Sequence, residues 1–155
     1  MGTTDPLRMA VRVVAALAVL GGGLIHLKLY NLGYKNFPND NLGRSFLLNV
    51  VASVAIAVTL IVWRHWLVTV AALLLVNGTM FAFGLSRTDH FPFGFKEIGF
   101  NPTPYAAWAL VVEIIAAALL VVLLAWDLSS PESQATPLDR QDGSIEASDR
   151  VESTQ

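Results

Sequence analysis

A single carboxylate lies deep in the last apolar stretch of the chain. Glu113 is the only charged residue between residues 105 and 126, and it is far from both ends of that stretch. A charged side chain at the centre of a membrane-spanning helix costs about 2.5–3.5 kcal/mol on insertion scales. Such an acid needs an opposite charge, a proton or a ligand, and it marks a candidate functional site. A role in fixing helix packing is the alternative.

Three other apolar stretches each carry one strongly polar side chain, namely His26, Asn49 and Asn77. At 1.5 Å per residue, His26 lies about 6 Å and Asn49 about 8 Å below the helix ends that carry the long connections. Asn77 and Glu113 each lie about 12 Å below those ends. We therefore predict a polar intramembrane site in one half of the bilayer, with interhelical hydrogen bonding as the plainer role of the two asparagines.

Two residues near the same ends extend this candidate site. Tyr30 follows His26 by one helical turn, so the two side chains share a stripe of the first helix. Arg44 begins the second stretch and is long enough to reach the polar layer. It either pairs with a buried acid or extends to the lipid headgroups.

The residue inventory excludes several chemistries. The chain has no cysteine, which excludes disulfides, thiolate zinc sites, iron–sulfur clusters and dithiol redox chemistry. His26 is the only histidine well inside an apolar stretch, so a bis-histidine haem has no second axial ligand there. No serine or threonine stands beside a recognisable base. We predict no catalytic residue and no metal site, and the sequence assigns no cofactor.

Four stretches have the length of a membrane-spanning helix, for which about 20 mostly apolar residues are needed. They cover residues 9–30, 43–63, 66–85 and 105–126. None alternates between apolar and polar residues, which argues against a membrane β-barrel. The sequence therefore predicts an all-α fold, an antiparallel four-helix transmembrane bundle formed by residues 1–127. The very short connection at residues 63–66 makes the second and third helices antiparallel neighbours.

The remaining segments are polar or aromatic. The connection at residues 86–104 contains Phe91, Phe93 and Phe95, followed by Lys96 and Glu97, and we expect it to form a cap on the bundle. Residues 128–155 are rich in Ser, Gln and acidic residues, which predicts a disordered acidic tail. The chain is 54% hydrophobic and 14% charged, against about 25% charged in soluble proteins. No basic patch indicates nucleic-acid binding.

The orientation of the bundle follows from weaker signals. With four spans, both termini lie on one side of the membrane. A count of Lys and Arg favours termini outside, but leaving out Lys28 and Arg44, which belong to helix ends, makes the two sides equal. Arg8, Arg12 and the long polar tail favour termini in the cytoplasm. We therefore expect a multi-pass protein of the plasma membrane.

Four short motifs carry a resemblance to known proteins. They are Gly-Leu-Ile-His-Leu-Lys-Leu-Tyr at 23–30 with Tyr34, Ser-Phe-Leu-Leu-Asn at 45–49, Phe-Gly-Phe-Lys-Glu at 93–97 and Val-Val-Glu at 111–113. Over about residues 8–124, the chain resembles an uncharacterised family of small bacterial four-helix integral membrane proteins. Its layout is also similar to that of the DoxX-like superfamily, which includes quinone-linked oxidoreductase subunits. The resemblance implies the fold, and it implies no role for an individual residue.

The sequence favours a non-enzymatic membrane protein, either an accessory subunit or a protein that binds a lipid or small molecule at its polar cluster. One alternative is a DoxX-like redox accessory or quinone-handling protein. The other is a proton-coupled permeation subunit, in which Glu113 and His26 form a relay. The expected partners are the lipid bilayer and either further copies of this chain or a larger membrane complex.

Overall fold

The structure, a computed structural model, describes residues 6–36, 40–89 and 96–129. Within this part of the chain there are four long helices and no strand. The helices are α1 (Pro6–Leu32), α2 (Asp40–Val62), α3 (Trp66–Leu85) and α4 (Tyr105–Leu128), and a short 3-10 turn covers Tyr34–Asn36. This confirms the predicted all-α, four-helix fold. The predicted tail beyond residue 129 and the three phenylalanines of the predicted cap lie outside the described residues.

All four helices are long and apolar enough to cross a membrane. The large side chains on their outer faces are aliphatic and exposed, as Leu74 on α3 and Val62 on α2 illustrate. A soluble monomer rarely exposes a contiguous apolar surface of this extent. The fold is therefore compatible with an integral membrane protein whose outer surface contacts lipid.

The helix ends differ from the predicted ends mainly by extension. α3 has the predicted bounds, and the ring nitrogen Nδ1 of His65 caps it by accepting from the backbone N–H of Leu67 at 3.2 Å. α1 begins three residues earlier than predicted, at Pro6, where a proline is tolerated because the first N–H groups of a helix have no helical partner. α4 continues to Leu128, which places Asp127 inside the helix.

Small and aliphatic side chains fill the half of the bundle that contains the α2–α3 turn, which we call the lower half. The buried cluster consists of Ala15, Ala16, Val19, Ala57, Leu60, Ala72, Val76, Ala116, Leu120 and Leu123. Alanines at helix contacts let the backbones approach closely, as in other membrane bundles. The lower half is therefore dense.

The upper half, at the long connections, is more open. α1 contacts α2 and α4 extensively, whereas α2 and α3 contact each other much less although they are adjacent in sequence. Because the turn at residues 63–65 holds α2 and α3 together at their lower ends, the space between them lies above it. The fold thus leaves a cleft in the half of the bundle where the sequence predicted a polar site.

Candidate functional site

A cleft of about 540 Å³ occupies the upper half of the bundle. All four helices contribute to its wall, and the connection between α3 and α4 contributes its upper rim. The accessible surface of the wall is mainly apolar, although ten of its 23 described residues are polar or charged. Ligand pockets in proteins have volumes of about 300–1,000 Å³ and a similar composition, so the cleft has the size of a small-molecule site.

Glu113 lies at the inner end of this cleft, on α4. The residue is only 6% exposed. It lines both the cleft and a small void among the four helices. Among the described residues, no hydrogen bond or ion pair reaches its carboxyl group, and no fully enclosed side-chain oxygen lacks a partner. The carboxyl oxygens therefore face the open space of the cleft.

His26 reaches the cleft from α1 with its ring orientation fixed. Its Nδ1 lies 2.8 Å from the carbonyl oxygen of Gly22, and since a carbonyl can only accept, Nδ1 carries the hydrogen. The ring also contacts Phe46 of α2, with centroids 5.5 Å apart. This arrangement leaves Nε2 as the ring nitrogen that can meet a ligand.

Asn49 lines the cleft and also joins two helices. Its amide nitrogen donates to the hydroxyl of Thr79 at 3.1 Å, which ties α2 to α3. The hydroxyl of Ser53 donates to the amide oxygen of Asn49 at 3.4 Å. Asn49 thus has the interhelical role that is usual for membrane asparagines, while it remains part of the cleft wall.

The rim of the cleft is closed by contacts between distant segments. The hydroxyl of Tyr34 donates to Oε1 of Glu97 at 2.6 Å, and its ring stacks on Phe46 at 4.7 Å. The backbone N–H of Glu97 donates to the carbonyl of Ser86 at 2.8 Å. Burial raises the pKa of Tyr34 above its ordinary value, and the hydrogen bond to Glu97 raises it further. Glu97 therefore anchors the α3–α4 connection over the bundle.

Arg87 holds the other side of the rim. Its guanidinium lies 3.7 Å above the centre of the Phe83 ring, a cation–π contact. It donates to the carbonyls of Gly99 and Asn101, each at 3.1 Å. Burial lowers the pKa of Arg87, and the nearby charge of Glu97 opposes that shift. Residues 97–101 of the connection contact the bundle through Arg87 and Ser86, whereas Phe91, Phe93 and Phe95 of the predicted cap lie outside the described residues.

Four residues of the predicted site and cap are not part of the cleft wall. Asn77 is exposed and donates to the carbonyl of Leu73 one turn earlier in α3. It is two residues from Thr79, roughly 200° around the helix, so it points away from the cleft.

Arg44 is exposed at the start of α2, and Tyr30 lies beside Gly43 instead of in the cleft. Lys96 is exposed and pairs with Asp89 at 2.7 Å.

Six polar residues of the cleft wall were not predicted as site residues, namely Tyr34, Ser45, Thr79, Ser86, Arg87 and Asn101. Tyr34 was part of a quoted motif, but its contact with Glu97 spans 63 positions and has no local signal. Thr79 had one usable signal, since it stands one turn after Leu75 on a face of α3 that continues to the small residues Gly78 and Ala82. The contacts of Arg87 with Gly99 and Asn101 span 12 and 14 positions and likewise have no local signal.

A second polar cluster, also missed, lies at the lower end of the bundle. Asp127, which the sequence analysis left at the end of the last span, accepts from Nη2 of Arg12 at 2.8 Å and from the hydroxyl of Thr69 at 2.8 Å. Arg8 pairs with the same carboxylate, and Nη1 of Arg12 donates to the carbonyl of Leu60 at 3.3 Å. Arg12 and Asp127 are 2% and 4% exposed. This cluster joins all four helices.

The donor set of the cleft suits an organic ligand better than a metal ion. Among the described residues, no three histidine or acidic side chains lie close enough to hold a metal. The geometry defines a class of protein: a four-helix, membrane-compatible bundle with an apolar cleft that ends at a buried acid. No protein-family model, no curated protein and no solved structure matches the chain.

Proposed function

We propose that this chain is a non-enzymatic integral membrane protein that binds a small lipophilic molecule in the cleft. The observation that carries the proposal is Glu113, a buried acid without a protein partner among the described residues, at the inner end of a cleft of about 540 Å³. A structural acid would be paired, as Asp127 is. An acid that faces open space is arranged to meet a ligand.

The cleft opens sideways between α2 and α3. Leu48 on α2 and Leu74 on α3 both line it, and each is 70% exposed on the outer surface. Gly78 and Ala82 continue the α3 edge with small side chains. In a membrane this outer surface contacts lipid, so the ligand reaches the cleft from the bilayer and not from water.

The location in the cell follows the sequence expectation. The plasma membrane remains the expected location, with both termini in the cytoplasm, because Arg8 and Arg12 near the N-terminus and the long polar tail favour this orientation. Further copies of this chain or other membrane subunits are expected to contact the apolar outer faces of the helices that the cleft does not use.

A quinone-handling role is the second candidate. It is supported by the aromatic part of the wall, where the ring of Phe46 lies between those of His26 and Tyr34 and offers a stacking surface for a flat ring. The resemblance of the sequence to the DoxX-like superfamily would imply the same kind of role. A chain purified from native membranes with a quinone absorbance spectrum that is reduced by borohydride would support this candidate.

A proton-permeation role has less support. Glu113 and Asp127 are 14 positions apart on α4, which corresponds to about 21 Å at 1.5 Å per residue. Between them, α4 contributes the buried Ala116, Leu120 and Leu123 to the dense core. No polar side chain of that core connects the two acids, so a binding role fits the described residues better.

A photoreactive ligand tests the proposed function. The protein is placed in phosphatidylcholine nanodiscs with a neutral decyl alcohol that carries a diazirine, and the labelled residues are mapped by mass spectrometry. Labelling at Leu48, Leu74 and Ala82 should saturate as the concentration of the photoreactive alcohol increases, and unlabelled decanol should displace it. Val58 and Val62 are exposed in the lower half. Their labelling should rise linearly with that concentration, and decanol should not displace it. Linear, undisplaced labelling at both sets would overturn the proposal.

A further inference from the structure

We infer that the cleft selects amphiphiles with a positively charged head, and that a lipophilic ammonium pairs there with Glu113. The inference rests on the proposed function, since it names the class of ligand that the cleft takes. It follows from three features of the wall: the hydrogen-bond donors that are already used, the balance of charges, and the aromatic rings.

The hydroxyl donors of the wall are committed to protein acceptors. Ser45 donates to the carbonyl of Leu42 at 2.7 Å, and Thr79 donates to that of Leu75 at 2.7 Å. Ser86 donates to the carbonyl of Phe83 at 2.8 Å. Tyr34, at the rim, donates to Glu97. A hydroxyl has one hydrogen to donate, so these side chains offer a ligand only their lone pairs.

The acceptors, in contrast, face the cleft. Glu113 has two carboxyl oxygens without a described partner. In His26, Nδ1 carries the hydrogen that is donated to Gly22, so Nε2 of the neutral ring is an acceptor. An ammonium group carries three donors and no acceptor, which is the complement of this wall. A quinone or a carboxylic acid anion offers only acceptors and would find no free donor among the described hydroxyl groups of the wall.

The charges of the wall point to the same class of ligand. Among the described residues, three side chains that can carry a charge line the cleft, the acids Glu97 and Glu113 and the base Arg87. The guanidinium of Arg87 is occupied at the rim by the carbonyls of Gly99 and Asn101 and by the Phe83 ring. Glu113 is therefore the acid of the wall that has no described basic partner. A cationic head beside it would stabilise the carboxylate form by pairing with it, whereas an anionic head would not.

Aromatic rings complete the site. Phe46 and Phe83 line the cleft from α2 and α3, and the ring of Tyr34 stacks on Phe46. Arg87 covers one face of Phe83 and Tyr34 covers one face of Phe46, so an ammonium group would be attracted to the remaining faces, most strongly where water is excluded. The aliphatic remainder of the wall, including Leu48 and Leu74 at the lateral opening, accommodates an alkyl chain. A single-chain amine has an ammonium head for the inner end of the cleft and an alkyl chain for its lateral opening.

Binding of a matched ligand series tests the inference. Radiolabelled decylamine is equilibrated with protein-containing and with empty phosphatidylcholine nanodiscs near neutral pH, and it competes with decanol, decanoate and decylubiquinone. We expect decylamine to bind at least about tenfold more tightly than decanol and decylubiquinone. Decanoate should compete least. Equal affinity of decylamine and decanol would overturn the inference and leave the proposed function intact, whereas no saturable binding of any ligand would overturn both.

Variants locate the charge that is recognised. Glu113→Gln keeps the shape of the side chain, and it should weaken decylamine binding by about ten- to a hundredfold, the range for loss of a charge-assisted hydrogen bond. Circular dichroism of the detergent-solubilised variant shows independently that it is folded. Glu97→Gln tests the other acid of the wall. If that variant loses the preference for decylamine and Glu113→Gln keeps it, the assignment to Glu113 is wrong.

Discussion

Arg12 and Asp127 form a buried ion pair, with Nη2 of the arginine 2.8 Å from Oδ1 of the aspartate. The two residues are 115 positions apart, near the beginning of α1 and the end of α4. Thr69 donates to the second carboxylate oxygen, and Arg8 pairs with the first. The pair therefore fixes the register of the first helix against the last and ties α3 to both.

Replacement of Asp127 by leucine should destabilise the bundle strongly. The change leaves the buried Arg12 without its counter-charge, and removal of one partner of a buried pair costs roughly 3–5 kcal/mol. The free energy of unfolding can be measured by circular dichroism during titration of the detergent-solubilised protein with sodium dodecyl sulfate. Lys96→Ala is the matched control, because it removes an exposed ion pair with Asp89 and should change little.

A double variant separates pairing from burial. Arg12→Met together with Asp127→Leu should recover a large part of the lost stability, since apolar groups of similar volume replace many buried pairs without loss. A loss in the double variant that equals the sum of the losses in Arg12→Met and Asp127→Leu would show that the two residues act independently.

The contact between α1 and α2 depends on Gly23. A Cβ atom at that position would lie 2.6 Å from Cβ of Ser53, closer than side-chain carbons approach each other. Gly23→Ala should therefore push the helices apart and cost roughly 1–3 kcal/mol, as overpacking of a dense interior does. The same detergent titration measures it.

Gly84→Ala is the control for that variant. A Cβ at Gly84 meets nothing within 4 Å, so alanine should be neutral or should stabilise α3 by about 0.5–1 kcal/mol through its helix propensity. Similar losses for both glycines would mean that the close contact at Ser53 is not what makes Gly23 necessary.

The fold was accessible from the sequence because the requirement for an apolar stretch of about 20 residues is local. α3 shows this best, since tryptophan and a capping histidine mark its beginning. The extensions of α1 to Pro6 and of α4 to Leu128 were missed because helices continue beyond the apolar stretch, where hydropathy gives no signal. Asp127 consequently looked like a boundary residue.

The candidate site was accessible only in part. The depth of His26, Asn49 and Glu113 along their helices placed them in the same half of the bundle, and these three residues line the cleft. Depth does not give rotation, however, and a helix that is apolar on all sides has no amphipathic face to indicate which side points inward. That is why Asn77, at the same depth as Glu113, proved to be exposed. Contacts such as Tyr34 with Glu97 join segments too distant for any local pattern.

The rim contact between Tyr34 and Glu97 should appear in an alkaline titration. Burial and the hydrogen bond to Glu97 both raise the pKa of Tyr34, so the contact is fully present below the ordinary tyrosine value of about 10 and is lost only as the pH rises through the higher value. Of the three tyrosines in the chain, Tyr34 should ionise above the usual range. The tyrosinate absorbance of the wild type and of Tyr34→Phe should therefore coincide near pH 10.

Glu97→Ala supplies the converse test of the rim. Loss of the carboxylate removes two of the causes that raise the pKa of Tyr34, so its ionisation should begin at lower pH than in the wild type. An unchanged titration curve in Glu97→Ala would show that the hydrogen bond does not hold the α3–α4 connection in the membrane-embedded protein.

The lateral opening between α2 and α3 gives the last prediction. Gly78 lines the cleft, and a Cβ there would meet nothing within 4 Å, so a side chain can begin at this position without a clash at its first carbon. Gly78→Phe should narrow the opening and lower the association rate constant of decylamine in nanodiscs. Its dissociation constant should change less, because Glu113 is untouched. Val62→Phe, on the exposed lower part of α2, is the matched control and should bind at the wild-type rate. Equal association rates in all three proteins would place the route to Glu113 elsewhere, through the rim formed by Tyr34, Arg87 and Glu97.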